Sequence, residues 1–219
     1  MSLVKRERYS LVQMSVEPIA APPDPKTEKI LGASREVFLE LGYAATTMDL
    51  VAQRARVSKT TLYTRFPSKE ELFGATIRAE CDRRGLRFAP DALDDLPLDE
   101  ALYRMARRFV DLVWSPEAVK IHQTVSGEAK RFPEVAQLYF QAGPEHTIAM
   151  FVAYFERAAR RGIARVEDPA FVAMQFIGAL RGGCYCALEL GLCEMPPEEE
   201  RDAFVRKAVE LFVRGIRAS

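Results

Sequence analysis

The chain has 219 residues, of which 48% are hydrophobic, and its 31 basic and 31 acidic residues balance to a formal net charge of zero. This composition is typical of a folded globular protein with a real core, and it excludes a highly charged disordered chain. No apolar run reaches the roughly eighteen residues of a membrane span, and the N-terminus lacks the apolar segment of a secretory signal. We therefore expect a cytoplasmic protein.

The first 25 residues carry basic side chains and then a proline-rich run, without a periodic apolar pattern. We expect residues 1–25 to form a flexible N-terminal arm. The first helix is predicted over about Pro25 to Leu41, where an amphipathic stripe ends, and Gly42 is predicted to terminate it.

Residues 46–73 contain three helix starts. Thr46, Ser58 and Ser68 are each a good N-terminal capping residue ahead of a periodic apolar segment. Two short helices joined by a three-residue turn form a helix-turn-helix, whose second helix lies in the major groove of DNA. The sequence therefore predicts a helix-turn-helix DNA-binding domain over residues 26–84.

The second of these helices has an unusual composition. Only Leu62 and Phe66, four residues apart, need to face inward. The remaining residues are hydrogen-bond donors and cations suited to phosphates and base edges: Lys59, Thr60, Thr61, Tyr63, Thr64 and Arg65. From Thr47 to Pro67 the sequence places four cations against the single carboxylate of Asp49, namely Arg54, Arg56, Lys59 and Arg65. This excess predicts a local positive surface in a neutral chain.

The motifs TTM, VA, VSKTTLY and F-x-SKEELF make residues 26–78 resemble the N-terminal domain of the TetR/AcrR family of transcriptional repressors. One residue departs from the family pattern, since Arg56 stands in the turn where the family usually has glycine. If that position needs a positive φ, a residue other than glycine costs about 1–2 kcal/mol there.

Residue chemistry and this resemblance together suggest individual roles. Lys59 and Thr60, at the start of the second helix, are candidates for base edges, and Lys59 suits the O6 and N7 atoms of guanine. The candidates for phosphate contacts, assigned partly because matching positions do this in the family, are Thr47, Thr61, Tyr63, Arg65 and Lys69.

The rest of the chain is also predicted to be helical, so the fold class is all-α. Gly85 to Leu98 is expected to connect the DNA-binding domain to a second domain over residues 98–219. Its helices are predicted at Leu98–Trp114, from Pro116 to about Arg131, at a short segment from Pro133, from Pro144 to Arg161, at Asp168–Leu190 and from Pro197 to about Arg217.

Large aromatic residues are concentrated in this second domain, and they fit either a packed core or the wall of a ligand pocket. The aromatic set is Trp114, Phe132, Tyr139, Phe140, Phe151, Tyr154, Phe155, Phe171 and Phe176. His122 lies on an apolar helix face with Val119 and Val125, where it either points a polar ring into an apolar space or is a solvated or core histidine. The candidate ligand-binding residues are Trp114, His122, Phe151, Tyr154, Phe155 and Phe176.

The last two helices carry more apolar surface than one short bundle covers, and the pair Gly182-Gly183 in mid-helix indicates a close approach by another helix. The family resemblance implies that these two helices form a homodimer. The motifs EAKRFPE, YFQAGP and DPAFV in the second domain are similar to an AcrR-type subgroup that includes repressors of efflux-pump genes.

These observations predict a ligand-responsive repressor that binds a palindromic operator as a homodimer and is released by a small molecule. The alternative is a sequence-tolerant DNA-binding protein without a small-molecule effector. No cofactor, metal site or catalytic residue is expected, because the chain has only two histidines and no nucleophile, P-loop or zinc-protease motif. The four cysteines are expected to be reduced and mostly buried.

Overall fold

The structure, a computed structural model, describes residues 23–83 and 93–217 and contains ten α-helices within them. They are α1 Pro25–Ala45, α2 Met48–Ala55, α3 Lys59–Arg65, α4 Lys69–Arg83, α5 Leu98–Val113, α6 Pro116–Glu128, α7 Pro133–Phe140, α8 His146–Arg160, α9 Pro169–Glu189 and α10 Glu198–Ile216. The predicted all-α fold is confirmed: the described residues hold no strand, only an isolated bridge between Ala164 and Arg217. The predicted arm up to residue 22 and residues 84–92 of the predicted connection lie outside the described residues.

Side-chain caps define the helix starts of the N-terminal half. Ser58 accepts a hydrogen bond from the Thr61 amide at 3.1 Å, and Ser68 accepts one from the Glu71 amide at 3.1 Å, as predicted. At α2 the cap is Thr47, which accepts from the Leu50 amide at 3.2 Å. The predicted cap, Thr46, was one residue too early, because its buried hydroxyl instead donates to the Gly42 carbonyl at 2.6 Å.

Gly42 interrupts α1 with a φ of 75°, so glycine stands where the sequence predicts the helix to end. Gly182 similarly breaks the path of α9 with a φ of 41°. A Cβ at Gly182 would lie 3.8 Å from a Phe204 ring atom, which is ordinary packing distance. The positive φ therefore explains this glycine within the chain, and the approach of a partner helix stays a prediction.

Two apolar clusters form the core of the described residues. One joins α1–α4 to α6 and α7 through Ile121, Val125 and Val135. The other joins α5, α8, α9 and α10. The boundary between these clusters therefore does not coincide with the predicted domain boundary between residues 84 and 98, because α6 and α7 share the core of the N-terminal helices.

The segment from α7 to α8 departs from the prediction. Pro144 was expected to open a new helix, but it lies inside a π-helical turn, Gln141–Glu145, that joins α7 directly to α8. A wider turn accommodates a proline that has no amide hydrogen to donate. Beside it Gly143 is buried against α4, where an added Cβ would lie 3.3 Å from Ile77 Cγ2.

None of the described helices is both long enough and apolar enough to cross a membrane.

The turn between α2 and α3 contains a strained residue. Arg56 has a φ of 52° and a ψ of 47°, and it is the one described non-glycine residue with a positive φ. Arg56→Gly is expected to raise the free energy of unfolding by about 0.5–1 kcal/mol, because relief of the Cβ clash exceeds the added flexibility of the unfolded chain. Thermal unfolding without DNA measures the gain. Arg56→Ala removes the same charge but keeps the Cβ, so equal stability of the two variants would contradict the strain.

Candidate DNA-binding surface and ligand cavity

Helix α3 buries one face and exposes the other. Leu62 is fully buried and Phe66 is nearly so, as the sequence predicts. The outward residues are exposed except Thr61, which is half-buried, and Tyr63 keeps 47% of its accessible surface. A fixed inner face and an open outer face are what a DNA-reading helix requires.

The local charge is more balanced than the sequence count suggests. Arg54 donates to both carboxylate oxygens of Glu40 at 2.8 Å, and Arg65 lies 2.5 Å from the Asp24 carboxylate. Lys59 lies 2.6 Å from Asp49. The predicted excess is therefore smaller, because α1 brings carboxylates distant in sequence beside α2 and α3. Arg56 alone of the four cations forms no ion pair with a described residue.

The pair between Lys59 and Asp49 is exposed, with 67% and 56% of the two side chains accessible. The hydrogen bond from the ammonium to Asp49, with the attraction between the charges, raises the pKa of Lys59. An exposed pair of this kind contributes little to stability because water screens it, so a phosphate or a guanine can replace Asp49 as the partner of Lys59.

Arg65 is held more firmly than Lys59. Its guanidinium bonds Asp24 and the Thr27 hydroxyl, at 2.5 and 2.7 Å, and thereby fastens the end of α3 to the start of α1. The Thr27 hydroxyl, Arg65 and two backbone amides of α1 lower the pKa of Asp24 to about 2, against a smaller opposing effect of desolvation. Arg65 thus positions α3 before any contact with DNA.

Lys69 also has partners within the fold. Its ammonium donates to the carbonyls of Tyr43 and Thr46 at 2.9 and 3.0 Å, and it lies 4.2 Å from the centre of the Tyr43 ring. The Tyr43 hydroxyl donates to Glu70 at 2.6 Å. This arrangement fixes the start of α4 against the corner between α1 and α2.

The two threonines predicted to contact phosphate are a helix cap, Thr47, and a residue bonded to a cap, Thr61. Thr47 is exposed, and its oxygen accepts from the Leu50 amide, which leaves the hydroxyl hydrogen to donate. The Thr61 hydroxyl shares a hydrogen bond of 2.8 Å with Ser58. Together with the residues described above, all seven candidates for DNA contact lie on α3 or at the starts of the neighbouring helices α2 and α4.

A cavity of about 190 Å³ lies between α4, α5, α6, α7, the π turn, α8 and α9. Its described wall is mainly apolar, with contributions from Phe109, Ile121 and Phe140. A polar group lies within this wall, formed by His122, Tyr139 and two α9 residues, Arg181 and Tyr185. An apolar space with a few convergent polar groups is typical of small-molecule sites.

Of the six candidate ligand-binding residues, only His122 lies in the wall of this cavity. The other five belong to the apolar core that joins α5, α8, α9 and α10: Trp114, Phe151, Tyr154, Phe155 and Phe176. Phe176, for example, packs on Phe212 of α10 with ring centres 4.7 Å apart. Tyr139 and Phe140 line the cavity although sequence reasoning did not select them from the aromatic set, because periodicity does not reveal which inward face meets a void.

Two members of this polar group, His122 and Arg181, approach Glu189 near the end of α9. One Glu189 oxygen lies 2.9 Å from His122 Nε2 and 3.7 Å from an Arg181 nitrogen. The Arg181 guanidinium also lies 4.3 Å from the centre of the Tyr185 ring. Elsewhere in the wall Glu80 is buried, and its two oxygens accept from Arg83 at 2.6 and 3.0 Å.

Two family profiles match the chain. One is described as the TetR family of bacterial regulatory proteins and matches residues 30–76, and the other is described as the C-terminal domain of AefR-like transcriptional repressors and matches residues 100–215. The chain belongs to the TetR family. The resemblance found in the sequence is thereby confirmed, and the TetR-family chain is a DNA-binding transcriptional regulator with a helix-turn-helix.

Individual relatives agree with this assignment. The solved structure of the flavonoid-responsive regulator FrrA is 33% identical, covers 88% of this chain and 97% of its own, and superposes with a TM-score of 0.70. The uncharacterised regulator YvkB of Bacillus subtilis is 26% identical over 89% of this chain and 98% of its own length. YhgD of the same organism is 43% identical, but the match spans only 34% of this chain and 39% of that protein.

The pair between Lys59 and Asp49 predicts an effect on DNA affinity. Asp49→Asn frees Lys59 and removes a negative charge beside α3, so affinity for duplex DNA is expected to rise by up to roughly fivefold at low salt. The gain should shrink at high salt because the charges are screened. Fluorescence anisotropy with a labelled duplex at two salt concentrations measures both effects.

The matched control is Glu156→Gln, which removes one exposed carboxylate on α8 that pairs with Arg160 at 3.9 Å. It is expected to leave DNA affinity unchanged. An equal gain in the two variants would mean that net charge, and not the release of Lys59, sets the affinity.

Proposed function

We propose that this TetR-family regulator is a ligand-responsive repressor that binds a palindromic operator as a homodimer and releases it when a small molecule enters the C-terminal half. The observation that carries this proposal is that one helix, α4, belongs both to the cavity wall and to the helix-turn-helix core. Ile77, Glu80 and Cys81 of α4 line the cavity, while Leu72 and Phe73 of the same helix lie in the helix-turn-helix core. A ligand therefore contacts an element that also supports the reading helix.

In this proposal Lys59 and Thr60 contact base edges, because both are exposed at the first turn of α3. Thr47, Thr61, Tyr63, Arg65 and Lys69 contact phosphates. The exposure of Thr47 and Tyr63 supports this assignment directly. Arg65 and Lys69 already bond the fold, so they act on phosphate with the hydrogen-bond donors that remain, while they hold α3 and α4 in place.

Exposed apolar residues on the last two helices support the homodimer. Phe171 at the start of α9 keeps 55% of its accessible surface, and Leu211 on α10 keeps 76%. The middle of α9 carries three small, exposed residues, Gly178, Ala179 and Gly182. Small residues permit another helix to approach closely. A twofold dimer presents two reading helices to half-sites about 34–36 Å apart, which one short helix cannot do alone.

Release requires a ligand that binds more tightly to a conformation in which the two α3 helices of the dimer do not match the spacing of the half-sites. A preference of about 1–3 kcal/mol changes operator affinity roughly 5- to 150-fold. Two descriptions support the details: the profile over residues 100–215 is that of a repressor domain, and FrrA is described as flavonoid-responsive. An effector that is a small organic molecule is consistent with both.

The assignment of α3 as the helix that contacts base edges is tested by Lys59→Glu. The probe is a duplex enriched from a random-sequence library by the unaltered protein, and the proposal expects a palindrome. Lys59→Glu should weaken binding to this duplex at least about a hundredfold, because two lost base contacts of about 1–3 kcal/mol each are involved. Lys130→Glu, at an exposed position just after α6, is the control and should bind normally.

Survival of tight binding in Lys59→Glu, with helicity and mass unchanged, would overturn the assignment. Enrichment of no preferred sequence would instead favour the alternative, a sequence-tolerant DNA-binding protein.

The dimer surface is tested by Leu211→Asp. A charge on the proposed interface should convert the protein to single chains in light scattering after gel filtration, because a buried unpaired carboxylate is strongly unfavourable. Leu41→Asp, which changes an exposed leucine on α1 that keeps 46% of its surface, should leave the mass unchanged. A single-chain mass for the unaltered protein, or a dimer in Leu211→Asp, would contradict the proposed interface.

A further inference from the structure

Charges in the wall of the cavity are already compensated. Glu80 accepts two hydrogen bonds from Arg83, and Arg181 lies between the Glu189 carboxylate and the Tyr185 ring. A charged ligand would lose its hydration without finding an unpaired opposite charge among these residues. The described wall therefore favours a neutral ligand.

His122 offers a hydrogen-bond acceptor. Its Nε2 atom lies 2.9 Å from an oxygen of the Glu189 carboxylate. Because a carboxylate only accepts hydrogen bonds, this neighbour favours the tautomer with the hydrogen on Nε2. Burial lowers the pKa of His122, Glu189 opposes that shift, and Arg181 adds to it. The ring is therefore neutral at pH 7, and its Nδ1 atom keeps a lone pair that no described residue engages.

Tyr139 offers a hydroxyl donor on a ring that neighbours the His122 ring. Its ring lies 5.8 Å from the His122 ring, centre to centre, and both residues line the cavity. Burial raises the pKa of Tyr139, so the phenol keeps its proton at neutral pH. Its hydroxyl forms no hydrogen bond with another described residue.

A single ligand atom that satisfies both groups must donate to His122 and accept from Tyr139. A hydroxyl oxygen does both, whereas a carboxylate or a ketone only accepts and an ammonium only donates. The surrounding rings of Phe109, Phe140 and Tyr185 favour a ligand with aromatic rings, which stack on such side chains or meet their edges.

We propose that the cavity binds a neutral aromatic compound with a phenolic hydroxyl that donates to His122 Nδ1 and accepts from the Tyr139 hydroxyl. This inference rests on the proposed ligand-responsive function, of which it names the effector class.

The test uses four compounds on one two-ring scaffold: 4-phenylphenol, biphenyl, biphenyl-4-carboxylate and 4-phenylbenzylammonium. Isothermal titration with the full chain at pH 7 gives their affinities. Because one net hydrogen bond corresponds to roughly fivefold in affinity, two should make 4-phenylphenol bind at least about tenfold tighter than biphenyl. Both charged compounds are expected to bind more weakly than 4-phenylphenol.

Three variants locate the hydroxyl. Tyr139→Phe removes only the donor and His122→Leu only the polar ring, and each should reduce the preference for 4-phenylphenol over biphenyl about fivefold while the affinity for biphenyl is unchanged. Tyr154→Phe, a matched change in the core away from the cavity wall, should leave all four affinities unchanged. Tyr139→Phe keeps the test decisive if His122→Leu fails to fold.

Tighter binding of a charged compound, equal binding of biphenyl and 4-phenylphenol, or binding of none of the four would overturn the inference. The inference would also be overturned if Tyr154→Phe lost the preference for 4-phenylphenol over biphenyl while Tyr139→Phe kept it. Operator binding is measured in parallel with each compound. If 4-phenylphenol binds as described but leaves operator affinity unchanged, the ligand assignment stands and the ligand response of the proposed function fails.

Discussion

The packing of α6 on α1 is the contact on which the arrangement of both halves depends. Ile121 and Val125 of α6 are buried in the same cluster as Val37 of α1. The two helices also approach each other at Gly42, where an added Cβ would lie 3.3 Å from the Thr124 methyl group and 3.4 Å from a Glu128 oxygen. Ile121 also lines the cavity, together with its neighbour His122. Because protein interiors are close-packed, α6 cannot shift without α1 shifting or the packing opening.

Helix α4 forms a second connection of the same kind. It spans 15 residues, about 22 Å at the usual rise, with Leu72 near its start in the helix-turn-helix core and Cys81 near its end in the cavity wall. Gly143 in the π turn lets the α7–α8 segment lie directly on this helix. For the proposed ligand response, α4 therefore connects the cavity to the helix-turn-helix core by a rigid helix and its packed side chains, without an intervening loop.

The parts of this structure that sequence predicts well are local. Caps such as Ser58 and Ser68 act within one helical turn, and the inward positions Leu62 and Phe66 follow from spacing alone. The charge of the candidate DNA-binding surface was less predictable, because Asp24 and Glu40 reach Arg65 and Arg54 only through the packing of α1. Predicting Pro144 as a helix start failed for a related reason: a proline marks an irregular turn, but tertiary packing decides whether the helix axis continues through it.

The cavity was the least predictable feature, since Phe151 and Phe155 satisfy the same inward periodicity as Tyr139 yet pack against other aromatic rings. What distinguishes Tyr139 is a hydroxyl without a partner among the described residues, in a wall whose charges are paired. The paired cations of the DNA-binding surface follow the same logic. In the proposed complex Lys59 exchanges Asp49 for DNA, and this exchange reduces the net gain from each α3 helix. In the proposed dimer two α3 helices hold the operator together. A ligand that prefers the conformation unable to fit the operator by a few kcal/mol then suffices to release the DNA.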